Sequence, residues 1–211
     1  MNFELHVNSL TIVYKKFGRM RPLFLVLTGP SGSGKTTIAM ELYFSDPKTF
    51  EISISYTTRP KRESEEHGKH YYFVHDNEFR SLIDQGFFLE FELINGYFYG
   101  TPLPKFDQSK ITLFALNFAG VKNLKRSFPN FCASIALLCD DIEDLKKRFS
   151  IRGCSEASFL ERKNFILEEI ATLKAEGKKW IDFFVENREL QSTINLVKMI
   201  ISLIKLKMSY E

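Results

Sequence analysis

At 211 residues the chain suits one domain with room for an inserted subdomain. Hydrophobic residues make up 44% of it, 21 Phe among them, which is enough for a core and excludes a largely disordered chain. The net charge of +3 is far from the balance of a typical nucleic-acid binder, so no nucleic-acid partner is expected, and a local anion pocket accounts for the excess.

No segment approaches the roughly 18 apolar residues needed to cross a membrane, so no membrane partner is expected. Glu4 comes early and Lys15, Lys16 and Arg19 late, the reverse of a signal peptide, and the expected location is cytoplasmic. Cys132, Cys139 and Cys154 form no CxxC pair. The first two stand in apolar runs and read as buried packing residues of a reducing compartment. Nothing in the pattern sets an oligomeric state.

Residues 1–21 read as an N-terminal extension, in which Leu10 to Tyr14 forms either an edge strand or a mobile arm. Leu23 to Thr28 is a continuous apolar run closed by Gly-Pro, the pattern of a buried strand. Thr37 to Phe44 has helical spacing and stops at Ser45-Asp46-Pro47. Between residues 53 and 102 the rhythm changes to short aromatic-rich strands, Ile52 to Tyr56, Tyr71 to Val74, Phe87 to Leu93 and Tyr97 to Gly100. Asn95-Gly96 joins the last two as a hairpin turn, and one helix begins at Asp76. Thr112 to Leu116 and Ala133 to Leu138 then read as strands, followed by helices Phe118 to Arg126 and Asp141 to Arg152. A longer charged helix over Glu156 to Lys179, a strand at Phe183 to Val185 and an amphipathic helix from Leu190 to Leu206 complete the chain. The pattern predicts an α/β fold, a parallel sheet covered by helices on both faces, carrying a small antiparallel insertion.

Gly29-Pro-Ser-Gly-Ser-Gly34-Lys35-Thr36 satisfies GxxxxGK[ST] between a predicted strand and a predicted helix. Glycines let the backbone curl until successive N–H groups face one anion, and the helix N-terminus adds partial positive charge. The donor site is therefore Gly29, Ser31, Gly32, Ser33, Gly34, Lys35, Thr36 and Thr37. Lys35 would neutralise the β and γ phosphates, and the Thr36 hydroxyl would ligate Mg²⁺.

A phosphate loop alone does not name a reaction. Within the insertion, Ser55-Tyr-Thr-Thr-Arg59-Pro-Lys-Arg62 is followed by Gly68-Lys-His-Tyr71-Tyr-Phe-Val, Glu90 and Gly96-Tyr-Phe-Tyr99-Gly-Thr101. Together with the GPSGxGK loop these motifs resemble the guanylate kinase family, from about Leu23 to the C-terminal region. The resemblance implies a P-loop kinase fold over residues 22–208, with a GMP-binding insertion at 53–102 and a helical lid at 148–163. It implies ATP as donor, Mg²⁺ as cofactor and GMP as acceptor, the products being ADP and GDP. Arg59, Arg62, Tyr71 and Tyr99 would hold the GMP phosphate, and Ser55, Glu90 and Thr101 would contact the base. The chemistry agrees: arginine forks suit a phosphate, and a carboxylate accepts guanine's adjacent N1–H and N2–H₂, a donor pair that adenine lacks.

The same resemblance makes Arg148 and Arg152, with Arg162, lid arginines that join Lys35 and Arg59 in stabilising the transferring phosphoryl group. Lys163 is the alternative to Arg162. No general base is required, because a phosphate with a second pKa near 6 is already mostly a dianion at neutral pH. Two departures stand out. Where the family carries an acidic pair, this chain has Ala115 and Asn117, of which only Asn117 still offers a hydrogen-bonding edge to a base. The connection from Pro102 to Thr112 is about four residues shorter than in typical members. Two alternatives to the kinase reading follow: an interaction module of this fold with weakened catalysis, and a kinase for another nucleotide or small phosphorylated acceptor.

Overall fold

Apolar runs too short for helices become strands of a parallel sheet, and the longer amphipathic runs become the helices that cover it. The computed structural model describes residues 2–7, 10–15, 24–63, 65–94, 96–105, 109–139, 141–151 and 153–209. In chain order the elements are β1 (Asn2–Val7), β2 (Leu10–Lys15), β3 (Phe24–Thr28), α1 (Lys35–Ser45), β4 (Phe50–Ile52), β5 (Tyr56–Thr57) and β6 (Tyr72–Phe73). There follow α2 (Asp76–Asp84), β7 (Phe88–Ile94), β8 (Tyr97–Pro102), β9 (Ile111–Ala115), α3 (Phe118–Ser127) and β10 (Cys132–Leu138). The chain continues through α4 (Ile142–Ile151), α5 (Glu156–Trp180), β11 (Phe183–Glu186) and α6 (Leu190–Ser209).

The main sheet has the order β11-β10-β3-β9-β4, and every neighbouring pair is parallel. Strand alternation divides the core into two layers. Leu25 and Leu27 of β3 join Ile38 and Leu42 of α1 and Val197, Ile200 and Ile201 of α6 on one face. Phe24 and Val26 join Val121 and Leu124 of α3 and Leu173 of α5 on the other. Leu27 is fully buried, and cutting it to Ala would cost about 2–5 kcal/mol. Cys132 and Cys139 are buried, as their apolar settings suggest, and burial pushes the Cys132 thiol up to about 12.

The second sheet, β6-β5-β8-β7, corrects two expectations. It is mixed, not antiparallel, because β5 and β6 run parallel while β8 is antiparallel to both β5 and β7. The expected strand from Ile52 to Tyr56 is also two strands in two sheets. Ile52 pairs with Leu113 in the parallel core, whereas Tyr56 pairs with Tyr72 and Gly100 in the second sheet. The chain leaves one sheet for the other between them. Gly96 turns the β7–β8 hairpin at φ 79°, a left-handed conformation suited to glycine; its neighbour Asn95 lies outside the described residues. Ahead of the core in sequence, β1 and β2 pair antiparallel as a two-stranded sheet, with β2 beside β11. The connection after Pro102 falls partly on residues 106–108, outside the described residues.

Candidate functional site

The phosphate-loop motif spans the carboxyl end of β3 and the first turn of α1, the edge where open parallel sheets bind ligands. Gly29, Gly32 and Gly34 adopt φ of 143°, 86° and 97°. Space is as restrictive as conformation. A Cβ on Gly29 would stand 2.4 Å from the Leu137 carbonyl oxygen, and one on Gly34 would stand 2.6 Å from the Asn187 side-chain nitrogen. No acidic residue occupies the first turn of α1 and no side chain caps it, so its N-terminal charge is left for a ligand. Ser33 Oγ is buried with no hydrogen-bond partner among the described residues, and the Thr36 side chain is on an exposed residue. Lys35 Nζ donates to the carbonyls of Gly29 at 2.7 Å and Pro30 at 3.1 Å, which draws the ammonium over the loop. These features fit a triphosphate and its counter-ion.

Two side chains brace or fill this loop. Asn187, just past β11, donates to the Ser33 carbonyl at 2.7 Å and accepts from Thr193 Oγ1 at 2.9 Å. Arg148 of α4 donates to the Asn187 carbonyl oxygen, which ties α4 to the same brace. Glu169 of α5 accepts the Ser31 backbone N–H at 2.8 Å. Burial raises the Glu169 pKa, while Lys35 and the Ser31 bond pull against that rise. A carboxylate thus rests on the triphosphate loop itself.

The second sheet gathers a cationic and phenolic cluster. Arg59 holds Glu65 by two hydrogen bonds of 2.8 Å, and its guanidinium lies 5.4 Å from the Tyr71 ring centre and 5.5 Å from that of Phe73. The Arg62 backbone N–H donates to the same Glu65 carboxylate at 2.9 Å. Tyr71 and Tyr99 meet edge to face with centres 6.0 Å apart. Burial opposes the Arg59 charge, yet the Glu65 bonds and Tyr99 outweigh it and leave the guanidinium above its ordinary pKa. Burial and the neighbouring Tyr99 push the Tyr71 phenol upward.

Glu90 and Thr101 are cross-strand partners on β7 and β8, with Thr101 Oγ1 3.4 Å from Glu90 Oε1. Ser55 stands immediately before β5, its carbonyl accepting from the Tyr72 N–H. Burial is the main cause that raises the Glu90 pKa, and the Asn123 hydrogen bond is the main one that lowers it.

Asn117 joins the two halves. Its Oδ1 caps α3 by accepting from Gly120 N at 2.8 Å, and its Nδ2 donates to Glu92 Oε1 at 2.9 Å. Partial burial and then the charge of Glu169 raise the Glu92 pKa. Asn117 ahead of α3 and Glu92 of β7 thus stand near Glu169 of α5, which itself reaches the phosphate loop at Ser31. Ala115 ends β9 and pairs with Leu27, just ahead of the loop.

Arg162 and Lys163 stand side by side on α5 and are half-buried. Arg162 precedes Glu169 by seven residues, roughly 10 Å along one helix face. Arg152 lies outside the described residues. Glu65, Glu169, Asn123 and Asn187 were not anticipated. Asn187 alone carried a usable sign, its place just beyond a parallel strand. Among the described residues no group of three or more His, Cys, Asp or Glu side chains could hold a metal, and no helix is long and apolar enough to cross a membrane.

Comparison with known proteins bears on this arrangement. The family model described as guanylate kinase matches residues 19–203. A guanylate kinase of Wolinella succinogenes is 32% identical over 183 residues, covering 85% of this chain and 83% of that protein. One of Enterococcus faecalis is 34% identical over 186 residues, covering 86% and 89%. The crystal structure of guanylate kinase from Anaplasma phagocytophilum shares the fold with a TM-score of 0.68 at 24% identity, over 90% of this chain and 88% of that one.

Proposed function

The chain belongs to the guanylate kinase family, and from that premise we propose how its residues divide the work of donor and acceptor. The reaction is transfer of the terminal phosphoryl group of ATP to GMP, giving ADP and GDP. Two anions must be brought together, so the task is positioning and charge neutralisation more than bond chemistry by the protein.

Residues Gly29 to Thr37 bind the ATP phosphates through loop amides and the α1 N-terminus, and Lys35 leaves its loop carbonyls for the β and γ phosphates. Thr36, with its exposed position in the first turn of α1, would hold Mg²⁺; the metal would supply further neutralisation between the phosphates. Arg59, Arg62, Tyr71 and Tyr99 take the GMP phosphate, and Ser55, Glu90, Thr101 and Asn117 face the base. Arg148, Arg152 and Arg162 close from the lid onto the transferring group. GMP enters as a phosphate dianion at neutral pH and needs no base to activate it.

The observation that carries this reading is the pairing of unlike sites on one small sheet. A guanidinium-phenol cluster at Arg59, Tyr71 and Tyr99 suits a phosphate, and a carboxylate at Glu90 suits a base with adjacent donors. ADP release measured with each nucleoside monophosphate, alongside Lys35→Ala, tests it. Turnover with GMP that disappears in the variant supports the assignment. Turnover with AMP or UMP at the GMP rate, or an unaffected Lys35→Ala, sinks it.

A further inference from the structure

Glu90 follows an irregularity in β7, where the register against β8 slips between Phe88 and Glu90. Such a bulge re-aims a side chain. The Glu90 carboxylate accordingly meets α3 of the core as well as its own sheet. Asn123 Nδ2 donates to Glu90 Oε2 at 3.1 Å, shorter than the 3.4 Å contact from Thr101. Gly120 lies one turn earlier on the same helix face. A Cβ built on Gly120 would stand 2.5 Å from Glu90 Oε1 and 3.0 Å from Oε2. Gly120 is absent from the positive-φ glycines, so its backbone does not require glycine. Glycine is also a poor helix former. Close approach of the carboxylate is the physical reason left for it.

We propose that Asn123 is a positioning residue for guanine selection, holding the Glu90 carboxylate with its side-chain amide across the Cβ-free surface of Gly120. The proposal rests on the reading of Glu90 as the guanine-facing group. A carboxylate pairs with guanine's two adjacent donors only when both oxygens present the correct edge. One bond from Asn123 to Oε2 removes the rotation that would spoil that edge and leaves acceptor sites on both oxygens for the base. The bond also crosses from the core helix to the acceptor sheet, so it fixes the carboxylate relative to the donor loop.

Titration calorimetry of the full chain with GMP, and separately with ATP, tests this using Asn123→Ala, Asn123→Asp and Gly120→Ala. Asn123→Ala should weaken GMP about tenfold and leave ATP within twofold. Asn123→Asp keeps the size but sets a second carboxylate against Glu90, and the loss of GMP should be larger. Gly120→Ala should raise or preserve thermal stability through better helix propensity while still weakening GMP, a combination that simple structural damage does not produce. Combining Glu90→Gln with Asn123→Ala should add little to the loss from Glu90→Gln alone. GMP affinity unchanged in Asn123→Ala overturns the proposal while leaving the kinase reading intact. Equal losses for GMP and ATP overturn it too, whereas failure of the unaltered chain to bind GMP overturns both.

Discussion

The Ser31 backbone N–H donates to the carboxylate of Glu169, a residue 138 positions away on α5, at 2.8 Å. The Glu169 carboxyl group thus takes one of the amides that the triphosphate is expected to use. The charged form of Glu169 is disfavoured by burial and favoured by Lys35 and the Ser31 bond, and burial wins. Its pKa therefore stands above the ordinary carboxylate value, and the competing charge develops as pH rises through it. Glu169→Gln should bind a non-hydrolysable ATP analogue several-fold more tightly at neutral pH. The difference should shrink at acid pH, where the wild-type carboxyl is itself protonated. Equal affinity at all pH values would show that the contact does not compete with the donor.

Arg59 offers a second test, because its fork is already engaged at both nitrogens by Glu65. Lysine keeps the charge but loses the planar, two-pronged geometry and the stacking on Tyr71 and Phe73. Arg59→Lys should raise the KM for GMP by about tenfold or more, with the KM for ATP nearly unchanged. Steady-state kinetics with each substrate varied in turn would decide it. A matched rise in both constants would place Arg59 in structural support instead.

The sequence was most legible where the chemistry is contiguous. The phosphate loop, its flanking strand and its helix occupy one unbroken stretch, and short apolar runs alternating with helical ones suffice for a covered parallel sheet. Legibility failed where pairing is decided at a distance. From Phe50 to Tyr56 no Gly, Pro or charge cluster marks the passage between sheets, so Ile52 reads as part of the second sheet although it pairs in the first. The parallel pairing of β5 with β6 involves two residues on each strand, too few for any pattern to show direction. Glu169 and Asn123 read as ordinary polar positions on charged helices. Only folding brings the first to Ser31 and the second to Glu90.

Glu90 gives opposite signs for stability and for binding. Burial holds its carboxyl above the ordinary value, with Asn123 partly offsetting this. The folded chain therefore binds this proton more tightly than the unfolded chain does. Ionised Glu90 costs stability above the unfolded pKa, and that cost is relieved as pH falls through the higher folded value. If Glu90 pairs with the guanine donors as proposed, GMP needs its ionised form, so GMP affinity should fall on acidification with a midpoint above the ordinary carboxylate value. Glu90→Gln should raise Tm at neutral pH while weakening GMP by at least tenfold. Thermal melts and GMP titrations across pH 4 to 8 would check both signs, and a lowered Tm would contradict the first.

The missing acidic pair yields the last prediction, because Asn117 is already committed at both ends. Its oxygen caps α3 and its nitrogen donates to Glu92. Asn117→Asp would keep the cap, since a carboxylate at a helix N-terminus is favourable. It would also turn the 2.9 Å contact with Glu92 from a hydrogen bond into a meeting of two carboxylates, with the charge of Glu169 acting on Glu92 as well. Alone, Asn117→Asp should therefore lose about 1 kcal/mol of stability and gain little activity. Paired with Glu92→Gln, which restores a donor opposite the new acid, it should recover that stability and raise kcat. The carboxylate would then stand at position 117, where the resemblance to the family implies an acid. A double-mutant cycle on Tm and on kcat reads the coupling directly. Additive effects would mean that Asn117 and Glu92 do not act on each other, whereas the hydrogen bond between them predicts an interaction of about 0.5–1.5 kcal/mol.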